Sequence, residues 1–194
     1  MKKRHLIANA HIDPIWQWDI AEGVSAVLST VRSAINLLNE FDFVFCRGEV
    51  TVYKYIEEYA PKLFEKIREL VRLGKWHIMG GWYLQPDCNM PSGESFVRQI
   101  KEGHAYFKEK FGVVPTTAIN VDPFGHTVGL VQIIKKCAQD SYVFMRPFRH
   151  ELSLPSEHFI WRGLDGSEIK AARITGYNSE LGNAKQRKRE QKGI

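Results

Sequence analysis

At 194 residues, with 44% hydrophobic and 25% charged residues, the chain has the length and composition of one soluble globular domain. No stretch approaches the ~20 consecutive apolar residues that cross a bilayer, and Met1-Lys2-Lys3-Arg4 leads into too few apolar residues for a secretory leader, so no membrane association is expected. The formal charge of +5 does not point to nucleic acid, because residues 184–194 carry +4 of it through Lys185, Arg187, Lys188, Arg189 and Lys192 against Glu190, without one aromatic residue to stack on a base.

That tail reads as a basic, disordered segment following a single domain over residues 1–183. Cys46, Cys88 and Cys137 are widely spaced and follow neither a disulfide nor a zinc-finger pattern, which places the chain in a reducing compartment, the cytoplasm.

Taken in chain order, Leu6 to Ala10 is a short apolar run that reads as a buried strand, followed by helical spacing over Val24 to Leu38. Phe41 to Cys46 predicts the next strand, and Val50 to Tyr59 and Lys62 to Leu73 predict two helices, with Pro61 at a first turn and Gly74 as a stop. Trp76 to Met79 is a strand and Glu94 to Phe111 a helix, capped by Ser92 or Gly93 and stopped by Gly112. Thr117 to Val121 and Tyr142 to Met145 are strands that flank a helix over Val128 to Ala138. After Arg146 the rhythm changes: Phe159 to Arg162 and Ile169 to Thr175 flank the turn Asp165-Gly166-Ser167, an antiparallel insertion near the C-terminus.

Strand and helix alternate through most of the chain, which implies an α/β fold with a parallel sheet and right-handed crossovers. A complete (β/α) barrel takes about 250 residues, so an incomplete barrel is expected here.

The chemistry sits at strand ends. His11 and Asp13 are two apart directly after the first strand, so they point to one side and offer an imidazole nitrogen and a carboxylate oxygen, both good zinc ligands. Pro14 ends the ladder there. Asp122-Pro123 ends the strand from Thr117 in the same way, and parallel strands bring such ends to one edge. Three protein ligands with one open position is the pattern of a catalytic zinc site, whereas an isolated His-x-Asp is more often satisfied by backbone groups. Trp16, Trp18, Trp76 and Trp82 read equally as core, His77 as structural, and His126 as a residue that orients a loop. Asp87 and Glu94 are candidate acids by elimination only, and Glu94 also suits the start of a helix.

Four segments together resemble the α-mannosidases of glycoside hydrolase family thirty-eight, in the N-terminal part of their catalytic barrel. They are HIDPIWQW at His11 to Trp18, GGWYLQPD at Gly80 to Asp87, SGES at Ser92 to Ser95 and NVDPFGH at Asn120 to His126. The resemblance implies a seven-stranded type of β/α barrel and retaining hydrolysis of α-mannosides or mannose-containing oligosaccharides. It implies that His11, Asp13 and Asp122 bind Zn2+ or another divalent cation, and that Asp122 is also the catalytic nucleophile. It places Trp16 in a sugar-binding wall, Phe124 in the same pocket, Arg146 beside the nucleophile and Tyr177 against substrate.

In the family, a further histidine ligand and the acid/base aspartate lie downstream of the matched region. The chain is therefore expected to be a fragment with little activity alone, completed by the missing C-terminal part or by self-association. Two other readings stand beside it: a non-catalytic carbohydrate-binding or assembly subunit, and a hydrolase whose metal activates water.

Overall fold

The computed structural model describes residues 7–174, and within them the chain is a mixed α/β fold. Tyr177 and the basic tail 184–194 lie outside the described residues. Helix α1 spans Ile20–Glu40, α2 Val50–Tyr59, α3 Pro61–Arg72, α4 Gly93–Phe111 and α5 Gly129–Lys136. The strands are β1 Phe45–Arg47, β2 Trp76–Ile78, β3 Thr117–Asn120, β4 Ser141–Phe144, β5 His158–Arg162 and β6 Glu168–Arg173.

Local chemistry explains the helix ends. Asp19 caps α1 by accepting the Glu22 N–H at 2.9 Å. Pro61 opens α3, Ser92 caps α4 by accepting the Ser95 N–H, and Gly112 closes α4 in the left-handed conformation. Helix α1 begins before the expected Val24 because Asp19 caps it at Ile20, and Gly23 in its first turn faces the preceding loop. A Cβ at Gly23 would stand 2.0 Å from the Pro14 carbonyl oxygen. None of the described helices is long and apolar enough to cross a membrane.

β1 and β2 pair in parallel, and Ala8 bridges to Phe45 in the same sense. The expected strand at Leu6 to Ala10 is thus reduced, among its described residues, to one bridge, and β1 begins at Phe45 rather than at Phe41, which ends α1. The second sheet has the order β3-β4-β6-β5, with β3, β4 and β6 parallel and β5 antiparallel to β6. The antiparallel hairpin at the C-terminal side is therefore no mere insertion, since its second strand takes a place inside the parallel sheet. Periodicity cannot reveal this, because it carries no information on long-range pairing.

β3 and β4 are covered on both faces, as parallel strands usually are. Ala118, Tyr142 and Phe144 pack with Trp82, Phe96, Leu130 and Ile134 on the helical side. Ile119, Val121 and Met145 pack with Met79 and Val143 on the other. A further core joins α1, α2, α3, α4, β1 and β2 around Tyr53, Trp76 and Phe107.

The two sheets meet where the Gly80 N–H donates to the Thr117 carbonyl at 2.9 Å. From there the chain after β2 climbs alongside β3: the Val121 N–H donates to Gln85 Oε1 at 2.7 Å and Asn120 Nδ2 to the Pro86 carbonyl at 2.6 Å. Buried Gln139 pins the start of this climb, donating to the Gly80 carbonyl and accepting from Trp82 Nε1, each at 2.8 Å. Parallel pairing and this seam put the residues after Ala8, β1, β3 and β4 at one carboxyl edge.

Candidate functional site

At that edge the sequence-predicted residues fall into two groups. In the first, the His11 Nε2–H donates to Asp13 Oδ1 at 3.1 Å, with His11 nearly buried and Asp13 43% exposed. The Asp13 backbone is held by Trp18, whose Nε1–H donates to the Asp13 carbonyl at 3.2 Å. Trp16 packs edge-on against Trp18 with ring centroids 5.3 Å apart, and is itself 62% exposed. At this exposure Trp16 is not a core residue. Trp76 and Trp82, at 1% exposure each, are core, while His77 points to solvent from β2 rather than into the interior.

In the second group, Arg146 Nε donates to Asp122 Oδ1, an ion pair joining the loops after β3 and β4. The guanidinium lies over the Phe148 ring at 4.8 Å and the Phe124 ring at 5.7 Å, so its charge is oriented by two aromatic faces. Phe124 is 76% exposed.

His126 fastens the same two loops. A carbonyl can only accept, so Nε2–H donates to the Arg146 carbonyl at 2.7 Å, which leaves Nδ1 to accept from the Tyr142 hydroxyl at 3.2 Å. Burial lowers the imidazole pKa, consistent with this neutral tautomer. His126 is thus a loop clamp. Behind it, Cys88 takes an Asn120 amide N–H on Sγ at 3.2 Å, and burial pushes its thiol up to about 11, so it is not a nucleophile.

A cavity of about 600 Å³ opens beside Arg146, lined by Phe124, His126, Phe144, Leu154, Phe159 and Trp161. Of the candidate acids, Asp87 accepts the Asn89 N–H at 3.2 Å in the segment that bridges to His126, and Glu94 accepts from Arg98 Nε at 2.9 Å in the first turn of α4.

His11, Asp13 and Asp122 therefore share one edge, and their nitrogen and oxygen donors suit a divalent cation. As placed they form two pairs, and no group of three or more His, Cys, Asp or Glu close enough for one ion occurs among the described residues.

Sequence reasoning missed what stands between the pairs: Arg47 and Glu49, an ion pair at 2.7 Å with side chains 3% and 2% exposed. Opposite charges two apart at the end of the apolar run Phe43-Val44-Phe45-Cys46 are the signal that marks them, since such residues face one side of a buried strand.

Comparison with known proteins identifies the family. Residues 1–192 match the family described as glycosyl hydrolases family 38 N-terminal domain. Alpha-mannosidase G of Dictyostelium discoideum is 30% identical over 165 residues, covering 84% of this chain and 15% of that protein. Alpha-mannosidase 2C1 of Mus musculus is 29% identical over 167 residues, covering 85% of this chain and 16% of that protein. The chain thus spans about one sixth of the length of these relatives. The crystal structure of an alpha-mannosidase from Enterococcus faecalis V583 superposes with a TM-score of 0.79 over 89% of this chain and 20% of that one, at 21% identity, a likeness of fold. With the family matched over nearly its whole length, this chain belongs to glycosyl hydrolase family 38, in the part that forms the N-terminal domain.

Proposed function

We propose that the chain is the N-terminal catalytic segment of a retaining α-mannosidase, that its sheets belong to a seven-stranded type of β/α barrel, and that Asp122 is the nucleophile. The observation that carries this reading is the Asp122–Arg146 pair at the end of β3, a carboxylate held by an oriented cation at the carboxyl edge of a parallel sheet. The family assignment supports the substrate class, because the relatives it matches are named α-mannosidases.

In this reading the Asp122 carboxylate attacks the anomeric carbon as the bond to the aglycone oxygen breaks. The leaving oxygen takes a proton from an acid roughly 5 to 5.5 Å from the nucleophile, and water later releases the sugar as that group recovers a proton. The family resemblance assigns the acid to a part of the relatives' length that this segment does not span, while Asp87 sits in a turn and Glu94 pairs with Arg98 on α4. The isolated chain is accordingly expected to bind sugar and to turn over little or none. Its completion by the rest of the catalytic domain, or by self-association, belongs to the same proposal.

Zn2+ or another divalent cation would be held by His11, Asp13 and Asp122, and would fix vicinal sugar hydroxyls rather than activate water. Trp16 and Phe124, both exposed at the edge, supply the apolar walls for the pyranose, and Tyr177 is assigned to the same surface by resemblance. Three dispersed free thiols support work in a reducing compartment, the cytoplasm.

The test is covalent trapping in the complete catalytic domain. A fluorinated α-mannoside with a good leaving group should add one glycosyl mass to the peptide carrying Asp122, and the Asp122→Asn variant should stay unlabelled. Turnover without any adduct in the wild-type protein would instead mark a hydrolase that activates water.

A further inference from the structure

The two pairs at the carboxyl edge are tied together through the buried ions between them. Arg47 Nη1 donates to the carbonyl of Ala10, the residue before His11. Arg47 Nη2 meets Glu49 Oε2 at 2.7 Å. Glu49 Oε1 accepts the Gln85 backbone N–H at 3.2 Å, and Gln85 Oε1 accepts the N–H of Val121, the residue before Asp122, at 2.7 Å. A relay of contacts therefore runs from the backbone beside His11 to the backbone beside Asp122, hydrogen-bonded toward each end and joined in the middle by the Arg47–Glu49 ion contact, in which Nη2 and Oε2 approach without a hydrogen bond.

The relay is a poor device for stability alone. Removing two charges from water costs several kcal/mol each, and an apolar pair of similar volume often serves a core as well or better. What a buried ion pair adds is direction and length. The surroundings hold both: Gly48, between the two ions, lies so close to Met79 that a Cβ would stand 1.4 Å from its carbonyl oxygen. Tyr53 donates its hydroxyl to the Arg47 carbonyl at 2.8 Å, and Trp76 Nε1 donates to that hydroxyl at 2.8 Å. These contacts fix the backbone that carries both ions.

We infer that Arg47, Glu49 and Gln85 are positioning residues that set the separation between the His11–Asp13 pair and the Asp122–Arg146 pair. This rests on the reading that both pairs serve one sugar site, and its test needs no turnover. The full chain is labelled with 15N, the Arg146 Nε–H signal is assigned through Arg146→Lys, and the His11 ring signals through His11→Gln. Gln85→Ala leaves every charge in place and should raise hydrogen exchange at the Val121 amide by about tenfold while moving the Arg146 Nε–H signal. Glu49→Ala should move the His11 ring and Arg146 signals together, and Glu49→Gln, which keeps an oxygen for the Gln85 amide, should return the Arg146 signal toward its wild-type position.

Urea midpoints measured alongside separate the alternatives. If Gln85→Ala and Glu49→Ala lower the midpoint yet leave the His11 and Arg146 signals in place, the relay is structural only and the inference fails. Should Glu49→Ala not fold, Gln85→Ala decides alone. A missing glycosyl adduct on Asp122 would overturn the mannosidase reading and leave these signals as they are, so the two failures are distinguishable.

Discussion

Arg146 reaches Asp122 from the neighbouring strand end with its guanidinium over the Phe148 ring, 4.8 Å from the centroid, so one side chain is counter-ion to the carboxylate and partner to an aromatic face. Both partners remain partly exposed, at 30% and 25%, which limits what the pair contributes to folding. Arg146→Lys keeps the charge and loses the planar face; it should lower the stability of the chain by about 1 kcal/mol in urea denaturation. In the complete catalytic domain the same change should slow trapping by the fluorinated mannoside far more than it lowers the urea midpoint.

Gly23 packs on the loop that carries Asp13. Because a Cβ there would fall 2.0 Å from the Pro14 carbonyl oxygen, Gly23→Ala must displace backbone rather than a flexible side-chain tip. The expected cost is about 1–3 kcal/mol, read as a lower urea midpoint, and the His11 ring signals should shift with it.

Gln139 is 1% exposed and satisfies Trp82 Nε1 and the Gly80 carbonyl at once. Gln139→Leu keeps the volume and strands both groups, which should cost about 2–4 kcal/mol in denaturant midpoints, while a buried apolar swap such as Ile134→Val should cost about 1 kcal/mol.

Burial lowers the pKa of His126 and of His104 below the ordinary 6.5. The folded state therefore binds fewer protons than the unfolded chain just below pH 6.5. Their contribution is complete above that pH and is lost as pH falls through the lowered values. Thermal denaturation between pH 7.5 and 5 should show falling stability. In His126→Gln the slope should be shallower by the share of His126, with the His104 share left in place.

Much of the frame could be read before any coordinates. Helical spacing and turn residues located the five described helices, since each buries one apolar stripe and some carry their own stops, as Ser92 and Gly112 do for α4. The two strand-end motifs at His11 and Asp122 were equally visible, because proline after an acidic residue interrupts a ladder wherever it occurs. The pairing order was not. Nothing local to Glu168–Arg173 says that β6 joins β4, as this depends on partners 29 residues away. Arg47 and Glu49 escaped notice for a related reason. Only the long-range fold buries their charges against Ala10 and Gln85.

The seam between the sheets also sets a rule for chain length. From Gly80, anchored at the foot of β3, to Gln85, anchored at its head, the backbone covers a fixed span with contacts at both limits. Dropping one residue there would put Leu84 or Pro86 where the Gln85 amide oxygen meets Val121, and neither side chain can accept that bond. The exposed Asp165-Gly166-Ser167 turn carries no comparable ruler, so homologues that differ in size should vary at that tip and keep the Gly80 to Gln85 spacing constant.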